Sequence, residues 1–258
     1  MKKLFLLVVA VAMIGMYSCT KDNDGTSSGS EVGGIAGMGD RVAEDVEIAN
    51  KFLLPEGVEL VGAVTGVAPV NANLKSASTT DALGLGGQFI TVVMEFLNNS
   101  QNAQQIVFEP GLIFQLAEDQ GVDINAFQRG IVLTQMIVNL DNVAGTTKVT
   151  LNLFCVNEGF EGSAIGIEYE IVGTTSDPQL LSLIGFINNT PVGEFNGDED
   201  DVQFITNPAY LATLTPAEQE DLIVALQELI WWITDNTHPY AYTKEQIQAK
   251  INEVLGTL

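Results

Sequence analysis

Between Gly87 and Ser100 the residues Ile90, Val92, Met94 and Phe96 alternate with Thr91, Val93, Glu95 and Leu97. Successive side chains of a strand point to opposite faces, so this run predicts an extended and largely buried segment. Asn98-Asn99-Ser100 supplies turn chemistry at its end. Ile106 to Leu116 predicts further strand, interrupted at Glu109-Pro110-Gly111, and Gly130 to Leu140 and Thr146 to Val156 are two more runs of period two. Gly162 to Val172 completes the set. Short strands separated by Asn, Gly and Pro predict an antiparallel β-sandwich or barrel. No self-similar period of roughly 20 to 50 residues is present, which argues against a solenoid.

The period changes at Asp177-Pro178. An N-cap acid followed by a first-turn proline opens a predicted helix carrying Leu180, Leu181, Ile184 and Ile187. Thr215-Pro216-Ala217-Glu218 is a capping box that launches a second helix to about Thr234. Its stripe of Leu222, Leu226, Leu229 and Ile233 is expected to face the core. Thr243-Lys244-Glu245-Gln246 repeats the device before a third helix with Ile247, Ile251, Val254 and Leu255 at helical spacing. Strands at about 87–172 followed by helices at about 177–258 define an α+β class, an antiparallel β-sandwich or barrel with a helical C-terminal part.

The first residues change the picture of where this domain works. Met1-Lys2-Lys3 precedes an apolar run from Leu4 to Met16, then Tyr17-Ser18-Cys19. That is the layout of a secretory signal, residues 1–18. The run of thirteen residues is shorter than the ~20 a membrane-crossing helix needs. A Cys after the apolar core, with a small residue before it, resembles a lipobox, which makes Cys19 the lipidated residue. Several acyl chains on one residue meet the two-signal requirement for stable anchoring. Thr20-Lys21-Asp22-Asn23-Asp24 resembles signals that send some lipoproteins to the outer face of the outer membrane. Residues 19–40, rich in Gly and Ser from Gly25 onward, are expected to form a flexible tether, and 41–258 one globular domain. The expected location is the outer membrane, lipid-anchored and facing the cell exterior.

Charge narrows the partners. The formal net charge is −23, and two of the ten Lys and Arg residues are Lys2 and Lys3 of the leader. The rest form no cluster, which excludes the basic patch that nucleic acid requires. The sequence has two cysteines. With Cys19 committed to lipid, Cys155 stands alone in a protein bound for an oxidising compartment, so no internal disulfide can form. A lone exported thiol is buried and inert, paired with another molecule, or chemically occupied in some other way.

Cys155 sits in Phe154-Cys155-Val156-Asn157, at the end of a strand whose inward residues are Val149, Leu151 and Leu153. Seventy-two residues later, Gln227 lies at the edge of the apolar stripe of the capped helix, beside Ile223, Ile230 and Trp231. These two pieces in this order resemble the thioester domains of bacterial surface adhesins. Those domains carry an aromatic or Leu residue, Cys, a hydrophobic residue and Asp or Asn; later a helix carries Gln followed by a hydrophobic residue and Trp. Phe154, Cys155, Val156 and Asn157 match the first pattern, and Gln227, Ile230 and Trp231 the second. The family usually has Thr before the Gln and a small residue two places after it, where this chain has Leu226 and Leu229. The resemblance implies that Cys155 is the thioester sulfur and Gln227 the acyl donor. It also implies covalent attachment to an amine or hydroxyl on a host or neighbouring-cell surface. The plainer reading keeps Cys155 as a core thiol and Gln227 as a helix-edge amide.

Other features compete less well. His238 is the only histidine and, with Cys155 and a carboxylate, would make a hydrolase; Asn236-Thr237-His238-Pro239 reads equally as a turn between helices. Asp198-Glu199-Asp200-Asp201 lacks the loop grammar of a calcium site and reads as a solvated acidic loop. Trp231-Trp232 cannot form one flat sugar platform, since neighbouring helical residues point about 100° apart. No Walker loop, dinucleotide fingerprint or zinc spacing is present. The expected function is adhesion without catalytic turnover and without a cofactor. The alternative is a non-reactive β-sandwich module that binds glycan or protein.

Overall fold

The structure, a computed structural model, describes residues 35–235 except 42, 69–81, 87–88, 119, 124–125, 142–144, 190, 193–202 and 205–210, together with Ala249. The expected third helix with Ile247, Ile251, Val254 and Leu255 falls outside the described residues.

Twelve strands and two helices are described. The strands are β1 (Ile48–Lys51), β2 (Val58–Leu60), β3 (Val64–Val67), β4 (Ile90–Asn98), β5 (Gln104–Phe108) and β6 (Leu112–Leu116). They continue with β7 (Gly130–Ile131), β8 (Met136–Leu140), β9 (Thr146–Cys155), β10 (Glu168–Thr175), β11 (Pro191–Val192) and β12 (Gln203–Phe204). The helices are α1 (Pro178–Asn189) and α2 (Pro216–Thr234). The fold is thus a mostly antiparallel β-structure with both helices late in the chain, the α+β class the sequence predicts.

Eight strands form one sheet in the order β1-β10-β3-β4-β9-β7-β6, with β2 on β4, and β10 also pairs with β6. That last pairing closes a ring of β10, β3, β4, β9, β7 and β6, so barrel rather than open sandwich describes it. Closure removes the exposed edges that an open sheet would leave. The β4–β9 ladder runs in unbroken register from Ile90 opposite Leu153 to Leu97 opposite Thr146. The pairing of β6 with β7 continues as β5 with β8 in the same register, Ile113 opposite Ile131 and Phe108 opposite Met136. Between them lies the predicted break. Pro110 has no N–H to give a ladder, and Gly111 takes φ +88°, a conformation that favours glycine.

The ring separates two cores. Ile90, Val92, Met94, Phe96, Phe114, Leu151, Leu153, Cys155 and Tyr169 pack inside it. On the outside, Ile113, Ile131, Phe154 and Val156 pack against Leu180, Leu183, Ile184 and Ile187 of α1 and Leu222, Leu226, Leu229 and Ile233 of α2. Strand alternation therefore sends Cys155 into the barrel and its neighbours Phe154 and Val156 under the helices.

The caps form as their sequences require. Asp177 accepts from the backbone N–H groups of Gln179 (2.9 Å) and Leu180 (2.8 Å). The Thr215 hydroxyl accepts from Glu218 N while the Glu218 carboxylate accepts from Thr215 N, a complete capping box.

Four expectations need correction. Strands begin before residue 87: β1, β2 and β3 contribute few buried side chains, and their ladder partners define them rather than any apolar alternation. The run expected at 162–172 forms a strand only from Glu168, because Gly166 at φ +87° and the exposed Ile165 turn the chain, and it continues to Thr175. In α1 the buried partner is Leu183, whereas Leu181 is 41% exposed. The stretch expected as tether up to residue 40 already belongs to the fold at Ile35 and Met38, which are 6% and 0% exposed. Two apolar side chains, together with backbone hydrogen bonds at Gly37 and Gly39, dock it.

Candidate functional site

The last residue of β9 is where the two expected motif halves meet. The backbone N–H of Val156 donates to Arg129 O beside β7 (3.1 Å), so the N–H and C=O of Cys155 point to the opposite side, toward β4. β4, however, starts at Ile90, opposite Leu153. Among the described residues, no strand serves Cys155 on that side. The Gln227 side chain does so instead: Cys155 N donates to Gln227 Oε1 (2.9 Å), and Gln227 Nε2 donates to Cys155 O (2.7 Å). A carboxamide has one acceptor and donors on the other arm, so it stands in for one residue of a neighbouring strand. A buried backbone group without a partner is costly, which explains why an amide is held here.

Gln227 is 2% exposed, deeper than a residue at the edge of the helical stripe was expected to lie. Trp231 follows it at i+4 on the same face of α2. While Leu226, Leu229 and Ile230 pack in the outer core, Trp231 reaches past the strand end onto the inner one. Its ring meets Phe89 at 5.1 Å, tilted 50°. Trp232 packs with the outer core, so the two tryptophans part as helical geometry demands.

Asn157 shapes the other side. Its Oδ1 accepts from Arg129 N (3.1 Å), its N–H donates to the Cys155 sulfur (3.4 Å), and the thiol donates to its carbonyl (3.1 Å). The N-terminal segment closes over this corner. Gly39 N donates to Val156 O (3.1 Å), and Arg129 Nη1 donates to the carbonyl of Gly37. At Gly39, with φ +54°, an added Cβ would lie 2.1 Å from Thr234 O. Only glycine fits between this turn and the end of α2. Glu158 N donates to Asp235 (3.0 Å), tying the chain after β9 to the C-cap of the same helix.

Cys155 is a free thiol with no solvent exposure. Burial pushes it well above the ordinary thiol range, outweighing the Asn157 N–H and the Trp231 indole, which favour the ionised sulfur; Asp235 and Glu158 add to the rise. The indole N–H bears on the sulfur without forming a well-shaped hydrogen bond. The thiol is therefore neutral and shielded.

The structure brings together Phe154, Cys155, Asn157, Gln227, Ile230 and Trp231, with Phe154 and Ile230 serving as outer-core packing. Cys19, His238 and the Asp198–Asp201 loop lie outside the described residues. Among the described residues, no group of three or more His, Cys, Asp and Glu is placed to hold a metal. Sequence reasoning missed Phe89, which lies just before β4 and meets the Trp231 ring; no local motif marks it. Compared with protein-family models, curated proteins and solved structures, the chain matches none of them.

Proposed function

We propose that this chain is a lipid-anchored surface protein whose barrel domain attaches covalently to its target through a thioester between Cys155 and Gln227. The carrying observation is the pair of hydrogen bonds, 2.9 and 2.7 Å, that holds the Gln227 carboxamide against Cys155 in a fully buried corner. For bond formation, Sγ attacks Cδ of Gln227, the C–N bond breaks, and the thiol proton leaves with the nitrogen as ammonia. Negative charge develops on Oε1 during that attack. The Cys155 N–H already points at this oxygen and would stabilise it, as a preorganised donor does in acyl transfer. Exclusion of water preserves the product. An amine or hydroxyl of a surface protein or glycan on a host or neighbouring cell then takes the acyl group, the C–S bond breaks, and the thiol returns.

A second reading has its own support. The same two hydrogen bonds satisfy the strand end without any reaction, and the shielded thiol is a poor nucleophile. The domain would then be a non-reactive β-barrel module that binds glycan or protein. Incubation with a labelled primary amine separates the two. The covalent reading expects label on Gln227 and a newly titratable Cys155; a chain that takes up no label supports the module.

Anchoring is tested separately. Cys19→Ser is expected to release the protein from the membrane fraction and abolish lipid labelling. Retention with unchanged labelling would contradict the anchor. Among the described residues, no helix is long and apolar enough to cross a membrane.

A further inference from the structure

A sulfur with no solvent exposure is closed to water and closed equally to any reagent from outside, so an element over the corner must move before Cys155 is reached. Two elements bear on it. α2 supplies Gln227 and is held in the outer core by Leu222, Ala225, Leu226, Leu229, Ile230 and Ile233. The other is a strap, residues 35–41, whose apolar anchors are Ile35 and Met38. With less apolar surface buried, the strap is the one that lifts more easily. It bonds to the residues that hold the sulfur. Gly39 N donates to Val156 O (3.1 Å) and Asn157 Nδ2 donates to Gly39 O (3.5 Å), while Asn157 meets the Cys155 sulfur through its own N–H and carbonyl. On its other flank Gly39 lies against Thr234 and Asp235 at the end of α2. The strap therefore spans the strand end that carries Cys155 and the end of the helix that carries Gln227. One of its polar links works against docking. Arg129 is 7% exposed and donates to the carbonyls of Gly37 and Glu44, and among the described residues it forms no ion pair with a carboxylate. Burial outweighs the attraction of Asp45 and holds the guanidinium below its ordinary range. Lifting the strap returns this cation to water and relieves that cost.

We infer that residues 35–41 are a releasable latch over the Cys155 corner: docked, the strap seals the corner, and lifted from Val156 and Asn157, it opens the sulfur to reagents from outside. Access is controlled in this way whether the sulfur is acylated or free, so the latch does not depend on the thioester. If the thioester forms, the latch decides when an amine or hydroxyl reaches it. The glycines belong to the device. Gly37 and Gly39 hold φ +75° and +54°, and a Cβ on Gly37 would lie 2.6 Å from Val46 Cγ2 and 2.8 Å from Arg129 Nη1. Larger residues at either position would keep the strap from docking.

The test compares the full chain carrying Cys19→Ser, in which Cys155 is the only cysteine, with the same chain carrying Gly39→Ala. An alanine there must hold φ +54° and place its Cβ 2.1 Å from Thr234 O, which disfavours the docked strap. Intact mass first shows whether ammonia has been lost; methylamine then probes a thioester, and iodoacetamide probes a free thiol. In either form the reaction at Cys155 is expected to run roughly 10- to 100-fold faster in Gly39→Ala, the ratio to which the strain of one residue converts. Met38→Ala removes an apolar anchor of the strap without touching the end of α2. It is expected to act in the same direction, and it carries the test if Gly39→Ala does not fold. Below the unfolding transition both rates should be nearly independent of urea, because lifting a short strap exposes little surface. Unchanged rates in the folded variants, or rates that climb with urea along the slope of global unfolding, would overturn the latch. The mass of the parent alone decides the covalent reading, and the latch stands or falls separately on the rates.

Discussion

Cys155→Ala is expected to lose roughly 4 kcal/mol of stability or more relative to the parent. A thioester to Gln227 closes a loop of 72 residues, and the chain-entropy relation for a cross-link of that span gives about 4 kcal/mol. The substitution removes the link entirely. If the side chains are joined only by hydrogen bonds, Cys155→Ala keeps both backbone bonds to Gln227 and deletes one sulfur, which costs about 1 to 2 kcal/mol. Gln227→Ala loses more than Cys155→Ala under either reading, because it also leaves the buried N–H and C=O of Cys155 without partners, at ~1 to 3 kcal/mol for each. Chemical denaturation of Cys155→Ala beside the parent reads the difference directly. A loss of only about 1 to 2 kcal/mol in Cys155→Ala would favour the non-reactive module.

Leu226→Ala should cost ~2 to 5 kcal/mol, because Leu226 is fully buried between α2 and the outer face of the barrel. Its near neighbour Glu228 is exposed, and Glu228→Ala should change stability by less than ~0.5 kcal/mol. The contrast matters for the site as well as the fold. The face of α2 that buries Leu226 also fixes the rotation that delivers Gln227 to Cys155. Equal midpoints for the two variants would mean that this rotation is wrong.

How much of this was legible depended on whether the signal was local. β4 and β9 are long, alternate cleanly and sit in the wall of the ring, so period two located them. The caps at Asp177 and Thr215 are chemical signatures of helix starts, and both helices begin where those residues require. β1 to β3 escaped because residues such as Asn50, Glu59 and Gly66 pair through their backbones and leave little apolar pattern. Ile35 and Met38 escaped because a Gly-rich segment reads as tether unless its docking surface is known. For the site, the residues that carry the resemblance, Cys155 and Gln227, were visible as a pair, but the reason they touch was not. It lies in the register of β4, whose first residue Ile90 stands opposite Leu153, so that among the described residues no strand serves Cys155.

The most direct test is the intact mass of the full chain carrying Cys19→Ser, taken together with titration of its one remaining thiol in denaturant. The covalent account predicts a mass lower than calculated by one ammonia and a Cys155 that resists alkylation even when unfolded. Both signs should disappear in Cys155→Ala and in Gln227→Ala. A protein of full calculated mass whose Cys155 alkylates freely on unfolding would contradict it.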